Sequence, residues 1–79
     1  MSVHYKNYGL ESASVQLSET KKWSLAVTII NLKDKQGAAN FQTFHAKNTF
    51  DTKKEADFHS INYGKEIIDG KYPDAKLDF

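Results

Sequence analysis

The apolar residues of this chain keep a period of two as far as about residue 48 and a helical period after Thr52, so the order is strands first and one helix last. In residues 10–17, Ala13, Val15 and Leu17 alternate with Ser12, Ser14 and Gln16, the pattern of a half-buried strand whose apolar set is expected to face inward. Residues 18–22 are polar and short enough for a hairpin loop. Residues 23–32 form a longer run rich in β-branched side chains and read as the central strand. Trp23, Leu25, Val27 and Ile29 share its bulky face, expected to meet the core, and Ser24, Ala26, Thr28 and Ile30 share the other. Residues 33–40, with Asp34, Gln36 and Gly37, read as a connection to a third strand over residues 41–48. Phe41 and Phe44 fall on opposite sides of any regular strand, so either one aromatic is exposed or the strand carries a bulge.

The helix has the clearest signals. Thr52 followed by Glu55 fits a capping box, and Gly70 with Pro73 behind it ends the helix near Asp69. Ala56, Ser60 and Gly64 form a small-residue stripe flanked by Ile61, Tyr63, Ile67 and Ile68. A helical Gly costs about 1 kcal/mol relative to Ala, which points to close packing of Gly64 against the Trp23 or Leu25 side of the sheet. Asp57 falls inside the apolar arc and reads as a solvated residue of the first turn. Phe58 lies outside the arc beside Lys54 and Asn62. It is expected to be covered by the Tyr5 and Tyr8 segment or by the tail, or else to meet a partner. The tail alternates Ala75, Leu77 and Phe79 with charged residues and has the pattern of a short additional edge strand. The expected fold is therefore α+β: a three-stranded antiparallel β-meander with one C-terminal helix packed on one face, and a short extra strand from the tail as an option.

Composition bounds the rest. A chain of 79 residues is too short for two cores, so residues 1–79 read as one domain with an ordered core over about residues 5–72. There is no Cys, which excludes disulfides and thiolate metal sites and leaves packing as the source of stability. The 11 basic residues are all Lys, interspersed among 10 acidic ones for a net charge of +1, so no strong pull toward nucleic acid or membrane is expected. No apolar run approaches the ~20 residues of a membrane span and no signal segment is visible, from which a cytoplasmic location is expected.

The segment from Phe50 through Asp51, Thr52, Lys53, Lys54 and Glu55 to Ala56, then Gly64 to Gly70 through Ile67 and Ile68, preceded by the strand carrying Trp23, resembles small uncharacterised bacterial proteins of β-β-β-α order. It is also similar, more distantly, to HlyU-type small proteins, a family described as transcriptional activators. The resemblance spans about residues 5–70 and rests on a helix cap, a packing Gly, an Ile pair and a strand Trp. It implies a fold and brings no catalytic or ligand residue with it.

His4, His45 and His59 do not stand at metal-ligand spacing, and the helix carboxylates are accounted for by capping, by the helix dipole and by the outer face. No enzyme activity, cofactor or small-molecule ligand is expected. The outer sheet face and the loops supply the candidate interaction surface: Lys21, Lys22, Ile30, Lys33, Lys35, Phe41, His45 and Phe58. The leading expectation is a binding module that acts through sheet surface and edge, with a protein partner or a second copy of the chain. The alternative is nucleic-acid binding, with the paired lysines on phosphates and Phe41 stacked on a base.

Overall fold

A computed structural model of the chain describes residues 2–31, 41–75 and 77. Four strands, β1 (Ser2–Tyr5), β2 (Tyr8–Ser12), β3 (Trp23–Asn31) and β4 (Phe41–Phe50), form one antiparallel sheet in the order β1-β2-β3-β4. The helix α1 (Lys53–Ile68) lies across one face of that sheet, over β2 and β3 and only marginally over β4.

The sheet thus has four strands where three were expected, and the additional strand comes from the N-terminus. Val3 pairs with Leu10 and Tyr5 with Tyr8, so residues 6 and 7 make a two-residue turn. Turns of this length need positive φ, usually supplied by Gly or Asn; here Lys6 adopts φ 55°, which hid the hairpin from the sequence. Among the described tail residues there is no strand. Ala75 donates its N–H to the Tyr72 carbonyl in a turn, and Ala75 and Leu77 pack on the core instead.

Leu10, Val27, Ile29, Ile61 and Ile67 make the core, with Leu25, Ala26 and Ala56 also buried. Each large member contributes about 1.5–3 kcal/mol by burial. The inward set of β3 is as its alternation predicts, with Trp23 only half-buried at the strand's start. Gly64 sits against Val27 and Leu10, one step along the same face from the expected Trp23 and Leu25. A Cβ at this position would come 2.9 Å from Val27 Cγ2 and 3.1 Å from Leu10 Cδ2.

On β4, Phe44 packs against the core while Phe41 is exposed, so the first of the two alternatives holds. A bulge exists as well, but further along. Ser24 and Leu25 are consecutive, whereas their partners Thr49 and Ala46 are separated by two residues. Two extra residues preserve facing, and Trp23 and Phe50 still oppose each other.

The helix begins and ends where its signals lie. Thr52 Oγ1 accepts the Glu55 N–H at 3.2 Å, and its hydroxyl donates to the Glu55 carboxylate at 3.0 Å. At the far end Gly70 takes φ 83°, with Gly70 N–H bonded to the Ile67 carbonyl and Lys71 N–H to that of Glu66, a Schellman closure.

The facing of the β2 arm is the reverse of what its alternation suggested. Ser12 and Ser14 point to the helix, while Val15 is 59% exposed and Leu17 36% exposed on the other side. The cause lies on α1, where Asp57 and Ser60 occupy the buried arc and need polar partners. Asp57 is buried and accepts from Ser12 Oγ at 2.5 Å and from Lys53 Nζ at 2.7 Å, rather than being solvated.

Candidate functional site

Among the described residues, two open surfaces adjoin the sheet once α1 is in place. The first is the sheet face opposite the helix. Cross-strand pairing sets Ile30 beside Phe41, Thr28 beside Thr43 and Ala26 beside His45, and the Thr28 and Thr43 hydroxyls bond at 2.9 Å. Gly9 lies next to Ile30 on the other flank, with His4 beyond it. Because Gly9 has no side chain, the face sinks there into a depression of about 370 Å³ bordered by Ser2, His4, Gly9 and Ile30. Phe41, 63% exposed, stands beside Ile30 at the same end of the sheet. No described element crosses this face.

The expected site residues do not form one cluster. Ile30 and Phe41 are neighbours, and His45 follows on the same face of β4. Lys21 and Lys22 sit at the tip of the β2–β3 hairpin, where Lys21 holds φ 62° and Lys22 Nζ lies 3.9 Å from Asp51. That tip is about 25 Å from Phe41 along the sheet, at roughly 3.3 Å per residue. Phe58 is on α1, in the other layer, and at 58% exposed it is left largely open by Tyr5, Tyr8 and the described tail residues. Its ring neighbour among the described residues is His59, edge-on at 5.3 Å. Lys33 and Lys35 lie outside the described residues.

The second open surface is a cleft of about 400 Å³ between β4 and α1, left because the helix is centred over β2 and β3. The β4 wall presents Asn48 and Phe50 and the helix wall presents His59, Asn62, Tyr63 and Glu66. Phe50 and His59 stack across the base with ring centroids 4.7 Å apart and planes 2° from parallel. Tyr72 closes one end, edge-on to Tyr63 at 5.2 Å. Sequence reasoning missed this cleft, although Asn48, Asn62 and Glu66 share no apolar arc and stand next to aromatics, which is a usable signal only once the helix position is known.

A cluster with catalytic residue types, a chain of hydroxyls ending on a carboxylate, lies between β2 and α1. Its donors can be assigned by counting protons. The Asp57 carboxylate only accepts, so Ser12 donates to it; Ser14 then donates to Ser12 at 2.8 Å, and Ser60 to Ser14 at 3.2 Å. Ser60 is left to accept the Ala26 N–H at 3.1 Å. Burial pushes the Asp57 carboxyl up, but the hydrogen bonds from Lys53 and Ser12 and the Lys53 charge outweigh it and hold it below its ordinary value. The chain is a fully satisfied strut, replacing a ladder bond where β2 and β3 diverge.

A second clamp joins the first hairpin to the helix end. Tyr5 Oη donates to Asp69 at 2.7 Å and Lys6 Nζ at 2.6 Å. The Lys6 bond, then the Tyr5 bond, hold Asp69 below its ordinary value, while the bonds to Asp69 raise Lys6 and Tyr5. Among the described residues no group of three His, Asp or Glu side chains is placed to hold a metal, and no helix is long and apolar enough to cross a membrane.

Comparison with family models, with curated proteins and with solved structures finds no match to this chain.

Proposed function

We propose that the protein is a non-catalytic binding module whose contact surface is the open sheet face around Ile30 and Phe41, and whose partner is another protein. The observation that supports this reading is Phe41, a large aromatic held 63% exposed on a regular strand, beside Ile30 and a depression at Gly9. An exposed aromatic beside a hollow is a common anchor of a protein contact. The Asp57 and serine cluster favours a non-catalytic role, since its hydrogen bonds hold β2 to α1 and leave no hydroxyl directed at an open site.

Nucleic-acid binding is the less supported reading. Lys21 and Lys22 are far from Phe41, and Lys6 and Lys53 are already bonded to Asp69 and Asp57, which among the described residues leaves Lys47 as the exposed lysine on Phe41's own strand.

A photo-crosslinking residue placed at position 41, with position 55 on the exposed side of α1 as control, tests the proposal in cells of the source organism. Protein adducts at 41 and few at 55 are expected. Equal yields at both positions would overturn it.

A further inference from the structure

We propose that the cleft between β4 and α1 receives an extended peptide segment of the partner, one with a basic residue beside an aromatic one. This deepens the binding-module reading and rests on it.

The lining selects the charge of the occupant. Glu66 is its one carboxylate, and no Lys is among the residues that border it. Lys71 Nζ forms an ion pair with Glu66 at 3.7 Å, beyond hydrogen-bond distance, and is not among the residues that border the cleft. A phosphate or carboxylate would meet the Glu66 carboxylate on the wall, whereas a Lys or Arg side chain could bond it directly in place of the longer Lys71 contact.

The amides select the kind of backbone. Asn48 on β4 and Asn62 on α1 face the cleft from opposite walls, and neither side chain has a hydrogen-bond partner among the described residues. A primary amide offers a donor and an acceptor together, the complement of a peptide unit. Phe50, His59 and Tyr63 supply an aromatic wall for one ring, and about 400 Å³ suits one or two side chains, near the lower end of the ~300–1,000 Å³ of ordinary ligand sites.

The chain's own tail shows what the neighbouring stretch accepts. Beyond Tyr72 the same side of the molecule is lined by Phe44, Tyr63, Pro73 and Ala75, and Ala75 and Leu77 pack on the core there. Tyr63 and Tyr72 border both this stretch and the open cleft, so the two adjoin.

The test is an amide NMR titration of the labelled full chain with the blocked peptide acetyl-Ala-Lys-Phe-Lys-Ala-amide, and separately with its counterpart carrying Glu for Lys. Saturable shifts at Asn48, Asn62, Tyr63 and Glu66 are expected with the basic peptide, with affinity about tenfold lower for the acidic one. Glu66→Gln should abolish that preference, and Asn62→Leu should weaken both peptides. Equal affinity for the two, or no shift up to the solubility limit, would overturn the proposal. Shifts confined to Ile30, Phe41 and their neighbours would overturn the cleft while leaving the open-face reading standing, and the crosslinking experiment reads that one separately. The same cleft shifts produced by an oligonucleotide would also overturn it.

Discussion

Ser12 donates its hydroxyl to Asp57 across 2.5 Å, so the end of β2 and the second turn of α1 are joined by a polar bond inside an otherwise apolar layer. Ser60, one turn further along the helix, extends the same strut to the backbone of β3. Ser60→Ala removes the acceptor of the Ala26 N–H and the donor to Ser14 together. A loss of about 1–3 kcal/mol is expected in urea unfolding, with an unchanged slope. Ser24→Ala, which removes a half-buried side-chain acceptor of the Val15 N–H, should cost less.

The pH dependence of stability follows from the two carboxylates. The pKa of Asp57 and Asp69 is lowered in the folded state, so the stability they contribute is present above the unfolded carboxylate value and lost as pH falls below about 4. Asp57→Asn should flatten the acid limb of a stability profile. Lys6 and Tyr5 are raised, so their contribution is complete below about pH 10 and is lost as pH rises further. Asp69→Asn should flatten the alkaline limb.

Gly64→Ala improves helix propensity by about 1 kcal/mol but sets a methyl 2.9 Å from a γ-methyl of Val27, a β-branched side chain with little rotamer freedom. Overpacking costs about 1–3 kcal/mol, so a net loss is expected, and Gly64→Val should be worse. Gly70 has open space around it but φ 83°, so Gly70→Ala should cost about 1 kcal/mol and Gly70→Asn less. Thermal unfolding of the four variants orders them.

What could be read in advance was whatever local chemistry decides. Thr52, Glu55 and Gly70 mark the helix through bonds within one turn, and Leu25, Val27 and Ile29 mark the central strand through alternation. The β2 arm was misread because alternation gives two faces without saying which is inward. The answer lay in Asp57 and Ser60, polar residues on the helix's buried arc that match Ser12 and Ser14. β1 was missed because its two-residue turn, Lys6 and Asn7, puts the positive φ on a Lys. Of the site, Ile30 was legible as outward from the alternation of β3, whereas the choice between Phe41 and Phe44 stayed open until the pairing of β4 with β3 decided it. The cleft was not, since it depends on the lateral offset of α1 from β4, which no local pattern encodes.

Phe41→Ser and Phe58→Ser remove exposed rings with little packing of their own, and each should change stability by no more than about 0.5 kcal/mol. Their effects on association should differ. Phe41→Ser is expected to weaken it and Phe58→Ser to leave it unchanged, as read by crosslinking yield from a probe at position 43.

The most direct measurement of the central claim is the recovery of the crosslink-identified partner by the wild type and by Phe41→Ser across a salt series, with nuclease present. The open-face account predicts a complex that survives moderate salt and nuclease, and that a folded Phe41→Ser variant fails to form. A complex that dissolves as salt rises, or that Phe41→Ser retains in full, would contradict it.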